Sequence, residues 1–238
     1  MKKILIKLIL LALVGGAGSV YYLWQQATKL PDEYVEAISA TKTDSPDLPL
    51  PSRQISEQAT VSKSKITTPI DRAKVGQKVA VKLNDRDLNN LVVAKLANSQ
   101  TNKQVPAGVK GISTNIKNGK IHTGALVNLD KLAKDGKPGS QAAALSKITD
   151  RLPFLKDRDV YIGIVGKPVV EGNRIKFDED TQIKVGNMNF TISQLAENLG
   201  VSEAKIQQAI DFQLQQQNLQ VNRVDLTNNQ IEIEGAKK

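Results

Sequence analysis

The chain has no cysteine and a single histidine, His122, among 238 residues. Without thiols there is no disulfide, no thiolate metal site and no cysteine nucleophile. One imidazole excludes any centre that needs two. Aromatic residues make up 4% of the chain against 40% hydrophobic, so a core has to be built from Val, Ile, Leu and Ala. Enzyme signatures are missing as well: there is no G-x-S-x-G, no Walker A, no H-E-x-x-H and no G-x-G-x-x-G. These absences argue against an enzyme. They leave no catalytic residue, no metal ligand and no cofactor-binding residue to assign.

Positive charge and one long apolar run are present instead. A formal net charge of +9 suits nucleic acid, anionic lipid or an acidic polymer. From Ile4 to Trp24 the chain is apolar for 21 residues, with Lys7 the only charge inside. A helix of that length spans roughly 30 Å, about one bilayer core. Lys7 is close enough to the end to snorkel to the headgroups. Tyr21, Tyr22 and Trp24 cluster at the far end, where rings favour the interface. Ala17-Gly18-Ser19 offers a signal-peptide cleavage site as the alternative, but the apolar run continues past Ser19, which favours a retained anchor. Lys2, Lys3 and Lys7 lie at the N-terminal side of the run and Asp32 and Glu33 follow it, so the N-terminus stays inside and the bulk faces outward. The expectation is a single-pass protein of a bacterial cytoplasmic or thylakoid membrane. Nucleic acid falls away as a partner; membrane lipid, an apolar ligand or an envelope protein remains.

Three regions follow: a transmembrane signal-anchor at 1–24, a flexible tether at 25–74, and an extracytoplasmic domain at 75–238. The tether carries Pro31, Pro46, Pro49, Pro51 and Pro69 in a Ser/Thr-rich stretch without sustained apolar period, although a short helix at 32–40 is possible. In the domain, Val79, Val81 and Leu83 alternate as a strand. Asn84 then caps a helix whose apolar stripe is Leu88, Leu91, Val92 and Leu96. Asn118-Gly119 predicts a hairpin pairing Lys117 with Lys120, Ile116 with Ile121, Thr114 with Thr123 and Ile112 with Ala125. His122 falls on its polar side. A helix from Ser140 presents Leu145, Ile148 and Leu152 and ends at Pro153. VYIGIVGKPVV reads as a strand apolar on both faces, and Glu171-Gly172-Asn173 as a turn. Ile192, Leu195 and Leu199 form a helix face stopped by Gly200, and Ser202 caps a second helix, ended by QLQQQNLQ. A turn at Asn228-Asn229 pairs Leu226 with Ile231 and Val224 with Ile233. The fold class is α+β: antiparallel hairpins forming a curved sheet packed with about four helices, preceded by one transmembrane helix.

RIKFDEDTQIKV places Asp178, Glu179 and Asp180 in an otherwise basic chain. Alternation puts Ile175, Phe177, Ile183 and Val185 on one side and Asp178 and Asp180 on the polar side near Arg174, Lys176 and Lys184, while Glu179 falls on the apolar parity with Thr181, where the strand is expected to fray or bulge. A wet strand face with local charge pairing is the expected role. The segment lacks the glycine and glutamate of an EF-hand loop. A hydrolase using the Asp178/Asp180 pair is the enzymatic alternative, with no apolar pocket in the sequence to raise one pKa.

Three stretches, VAVKLNDRDLNNLVVAKL, GKPVVEGNRIKFDEDTQIKVGNMNFTISQL and VDLTNNQIEIEG, resemble the YpmS-like family of bacterial membrane-anchored proteins of unknown function. The resemblance covers roughly 79–235, and Lys167-Pro168 to Gly186 is its most specific part. Asn84 stands where that family often has threonine, a harmless change at a helix cap. QQATKLPDEY is similar to uncharacterised cyanobacterial anchored proteins. The resemblance implies a signal-anchor arrangement and a sheet-on-helix fold reminiscent of extracytoplasmic lipid-binding modules; it brings no functional residues with it.

The functional expectation is a membrane-tethered, non-enzymatic domain that binds lipid, another apolar ligand or the membrane surface. Tyr161, Gly163 and Val165 form the ligand groove if Val160, Ile162 and Ile164 face the core. The alternative is a structural or assembly factor that docks another membrane or envelope protein, using hairpin edges and the glutamine-rich helix end.

Overall fold

In this computed structural model the described residues are 25–26, 29–31, 34–35, 52–98, 106, 108–135, 158–172, 174–210, 219–227 and 229–238. The expected span at 4–24 lies outside them, with Lys2, Lys3, Lys7, Tyr21, Tyr22 and Trp24. So do the helix expected from Ser140, Asn228 and most of QLQQQNLQ. Among the described residues no helix is long and apolar enough to cross a membrane.

The fold is α+β with antiparallel sheets and five helices among the described residues. Two main sheets and a two-stranded ribbon take the place of the single curved sheet expected. Helix α1 (Ser52–Arg72) leads into β1 (Lys78–Asn84) and α2 (Asp85–Asn98). The hairpin β2 (Val109–Lys117)–β3 (Lys120–Asn128) runs into α3 (Leu129–Asp135). Then come β4 (Asp159–Gly166), β5 (Pro168–Glu171), β6 (Arg174–Phe177), β7 (Gln182–Val185) and β8 (Met188–Thr191). Helices α4 (Ile192–Leu199) and α5 (Glu203–Ile210) precede the closing hairpin β9 (Leu219–Thr227)–β10 (Gln230–Lys237). One sheet has the order β1-β10-β9 and the other β2-β3-β4-β7-β8; β5 and β6 pair with each other.

The tether expected over 25–74 is helical across its second half. Ser62, Ile66 and Ile70 recur every four residues and are all buried, so α1 lays one narrow stripe into the core. Pro69 sits in the last turn, where its missing N–H forfeits one bond rather than breaking the middle of the helix. Ile66, Ile70 and Ala73 pack with Val79, Val81 and Leu83 of β1 and Ile231 and Ile233 of β10. Ile116 and Ile121, at the tip of the β2–β3 hairpin, join this cluster and link the two sheets.

A polar cluster fixes α1 to α2. Asn84 Oδ1 accepts from the Asp87 N–H at 2.9 Å, and an Asp87 carboxylate oxygen accepts from the Asn84 N–H at 3.2 Å, a reciprocal cap. The same carboxylate, buried, takes Lys65 Nζ at 2.7 Å and Ser62 Oγ at 3.1 Å from α1. The buried stripe of α2 is rotated from the one expected: Leu88, Val93 and Ala97 are buried and Leu91 packs against the core, while Val92 and Leu96 are only half-buried. The helix is covered from two sides, by α1 and by Ile112 of β2, and this widens its buried face.

Both hairpins have the registers expected. Asn118 and Gly119 take φ of 53° and 69°, the left-handed pair a two-residue turn requires, and Ile116 opposes Ile121. Leu226 opposes Ile231 and Val224 opposes Ile233. Gly200 ends α4 in the left-handed conformation, as expected, and Thr191 and Gln194 form a capping box at its start.

The segment VYIGIVGKPVV is two strands in two sheets, broken at Lys167. Likewise 174–185 is β6, a turn and β7 rather than one alternating strand. The last residues of QLQQQNLQ, Leu219 and Gln220, belong to β9 and not to a helix end.

Candidate functional site

Each strand of the five-stranded sheet is apolar on at least one side, and its two faces carry different chemistry. Register places Ile112, Ala125, Ile162, Val185 and Met188 in one row across all five strands. Thr114, Thr123, Ile164, Ile183 and Phe190 form the next row. With strands about 4.8 Å apart, each row runs roughly 19 Å. Around it, α2 meets Ile112 through Val93 and Ala97, Leu129 and Leu132 of α3 pack at the Val127 end, and α4 lies against β7 and β8. In these rows Thr114, Ile183 and Val185 are buried, while Ile112, Ala125, Ile162, Ile164, Met188 and Phe190 are half-buried.

The opposite face carries the expected groove residues Tyr161, Gly163 and Val165, and all three are buried. The rows here are Gly111–Leu126–Tyr161 and Ser113–Gly124–Gly163–Lys184. The Tyr161 ring lies over the two facing glycines. A methyl group on Gly163 would stand 2.7 Å from Tyr161 Cε1, and one on Gly124 would collide with its hydroxyl end. Only glycine lets the ring lie flat against the sheet here.

Tyr161 is covered in turn by the chain itself. Tyr34, 2% exposed, packs on it with ring centroids 5.0 Å apart and planes tilted by 57°. The Tyr34 hydroxyl reaches to Gly111. Nearby, Asn187 in the β7–β8 turn donates its N–H to Gln26 O at 2.8 Å, and its side-chain amide to Gln26 Oε1 at 2.9 Å. Gly186 N–H donates to the backbone carbonyl of Tyr161 at 2.7 Å, which ties this turn to β4 where the ring springs from it. Pro31 is fully buried between these contacts in sequence. The described residues 25–26, 29–31 and 34–35 thus supply a strap against the turn and the glycine face, in the first part of what the sequence predicts as flexible tether. Burial, with a smaller contribution from Tyr161, pushes the Tyr34 phenol up to about 12.

Sequence reasoning missed Gln26, Tyr34 and Asn187. The one signal was an aromatic ring placed soon after a proline inside a polar stretch.

The acids at 178–180 form a turn between sheets. Asp178 Oδ1 accepts from Thr181 Oγ1 at 3.1 Å and from Lys167 N–H at 3.4 Å, while Glu179 and Asp180 are exposed. Lys176, expected beside them, pairs with Glu171 and holds that carboxyl below its usual range. Among the described residues no three His, Cys, Asp or Glu side chains gather closely enough to hold a metal ion. His122 is half-buried on the glycine face, opposite Val165 and Asn115, rather than on an open surface. Asp85 accepts from the Ile116 N–H at 3.0 Å, and burial raises its pKa against that bond.

No family model, no curated protein and no solved structure matches this chain.

Proposed function

We propose that the chain is a membrane-tethered, non-enzymatic extracytoplasmic domain that binds lipid or another apolar ligand on the isoleucine face of its five-stranded sheet. The observation that carries this reading is the row Ile112–Ala125–Ile162–Val185–Met188, apolar across five strands and half-buried except at Val185, with half-buried Ile164 and Phe190 beside it and helices around it. A face of this kind matches an alkyl chain, which needs contact area and no specific hydrogen bonds. This reading puts the groove on the reverse of β4 from Tyr161, Gly163 and Val165, because those three are buried and Tyr34 packs on Tyr161. The apolar run at 4–24 and the net charge of +9 support a location at an anionic bilayer. The resemblance to the YpmS-like family supports the same location.

The test is mass spectrometry of the full chain extracted gently from membranes, with flotation on liposomes. Stoichiometric co-purifying lipid, reduced by Ala125→Trp in the middle of the row, is the expected result. Absence of both bound lipid and liposome association refutes the proposal.

A further inference from the structure

The strap fixes where the chain before Gln25 leaves the described fold. Gln26 bonds to Asn187 through backbone and side chain, and Gln26 is two residues beyond Trp24, where the apolar run stops. Two peptide units reach at most about 7 Å. A bilayer reached through Trp24 would therefore lie within about 10 Å of the β7–β8 turn, allowing for the hydrogen bond. A flexible tether would impose no such limit. Tyr34 on Tyr161 and the buried Pro31 secure the same segment farther along the sheet. An exposed lysine, Lys29, stands on the strap near this end, its N–H bonded to Gln25 O at 3.1 Å. Its charge complements anionic headgroups. Met188, on the other side of the turn, begins β8 and closes the first isoleucine row.

We propose that the Gly186–Asn187 end of the five-stranded sheet is seated directly on an anionic bilayer surface, held there by the Gln26–Tyr34 strap. The isoleucine rows then open beside the headgroups rather than at the end of a long leash. This rests on the membrane-tether reading above, and it adds which surface faces the lipid and what keeps it there. The opposite end of the sheet, the Asn118-Gly119 hairpin tip, points away. Leu126, level with Tyr161 beside the turn, is six residues along β3 from Lys120, or roughly 20 Å.

The cysteine-free chain makes the test clean, because one introduced thiol is the only labelling site. The full chain carrying Asn189→Cys or Lys117→Cys, both exposed positions, is labelled with a fluorophore. It is then reconstituted in phosphatidylcholine vesicles containing about one-third phosphatidylglycerol and a headgroup-linked quencher. Quenching at position 189 is expected to exceed that at 117 by about twofold or more, because the Gly124 row that holds Asn189 is four residues, or roughly 13 Å, along the strands from the Lys117–Lys120 pair. Inserting about twelve Gly/Ser residues between Trp24 and Gln25 leaves every sheet contact intact but adds roughly 20 Å of slack. The contrast between the two positions is then expected to vanish. Equal quenching in the uninterrupted chain overturns the proposal, and so does a contrast that survives the insertion. If the chain does not float with the vesicles at all, the tether reading fails and takes this inference with it; flotation with equal quenching sinks only the seating of the sheet.

Discussion

Tyr34 and the glycines beneath its partner ring make the sharpest residue-level claims. The Tyr34 phenol is pushed up to about 12 by burial, against about 10 in an unfolded chain. A raised folded-state pKa means that its contribution to docking is fully present below pH 10. That contribution is lost as pH rises through about 12. Absorbance at the phenolate band, taken as the difference between the native chain and Tyr34→Phe, should show one tyrosine ionising near the upper end of that window. A midpoint near 10 would show the ring free of the sheet. Gly124→Ala is expected to destabilise by about 1–3 kcal/mol, because the new methyl meets the Tyr161 ring end and the Gly163 backbone, which cannot step aside. Urea midpoints measure it. Gly119 offers a contrast: open space surrounds it, and only its φ of 69° resists a side chain.

At the level of single elements, α1 and α2 stand or fall together through Asp87. Its carboxylate completes the α2 cap and also receives Lys65 and Ser62 from α1. Asp87→Ala should therefore cost about 2 kcal/mol, more than an ordinary cap, since it leaves buried donors without acceptors. Lys65 is 44% exposed, so Lys65→Met should cost well under 1 kcal/mol by the same equilibrium unfolding. A cycle with both substitutions that shows simple additivity would mean the cluster is not a unit. Elements with a strong period were readable without coordinates. Asn118-Gly119 between alternating strands fixed one hairpin, and the parity of Val224, Leu226, Ile231 and Ile233 fixed the other. Helix α1 was hidden because its buried stripe uses a serine, Ser62, and because Pro69 is an interior breaker by composition yet sits in a terminal turn. The break at Lys167 was hidden for another reason: β4 and β5 are both apolar, and periodicity cannot tell one strand that continues from two that part to different sheets.

For the whole molecule, the boundary of the folding unit is the testable point. The sequence places it near 75, at the first clean strand. The core places it earlier, because Ile66, Ile70 and Ala73 fill the cluster over β1 and β10. A chain cut to 75–238 should fail to give a cooperative thermal transition. One cut to 52–238 should fold, at reduced stability and with Tyr161 uncovered. Circular dichroism and amide-proton dispersion distinguish the two, and cooperative folding of the shorter piece would refute the assignment of α1 to the core. The candidate site was only half legible. The two-sided apolar character of β4 was visible in VYIGIVG, but which side fills and which stays half-buried depends on Tyr34, more than 120 residues away in sequence from Tyr161. No local pattern carries a contact of that range.

The pairing of β1 with β10 also has a consequence for biosynthesis. Leu83 aligns with Ile231, so β1 waits for about 150 further residues before its neighbour exists. At ribosomal speeds of about 5–20 residues per second the wait is about 8–30 s. Throughout that interval Val79, Val81 and Leu83 form an unpaired apolar ribbon that invites foreign strands. A nascent chain interrupted before residue 230 cannot close this sheet, so stalled products should be recognised by chaperones and proteases as unfinished.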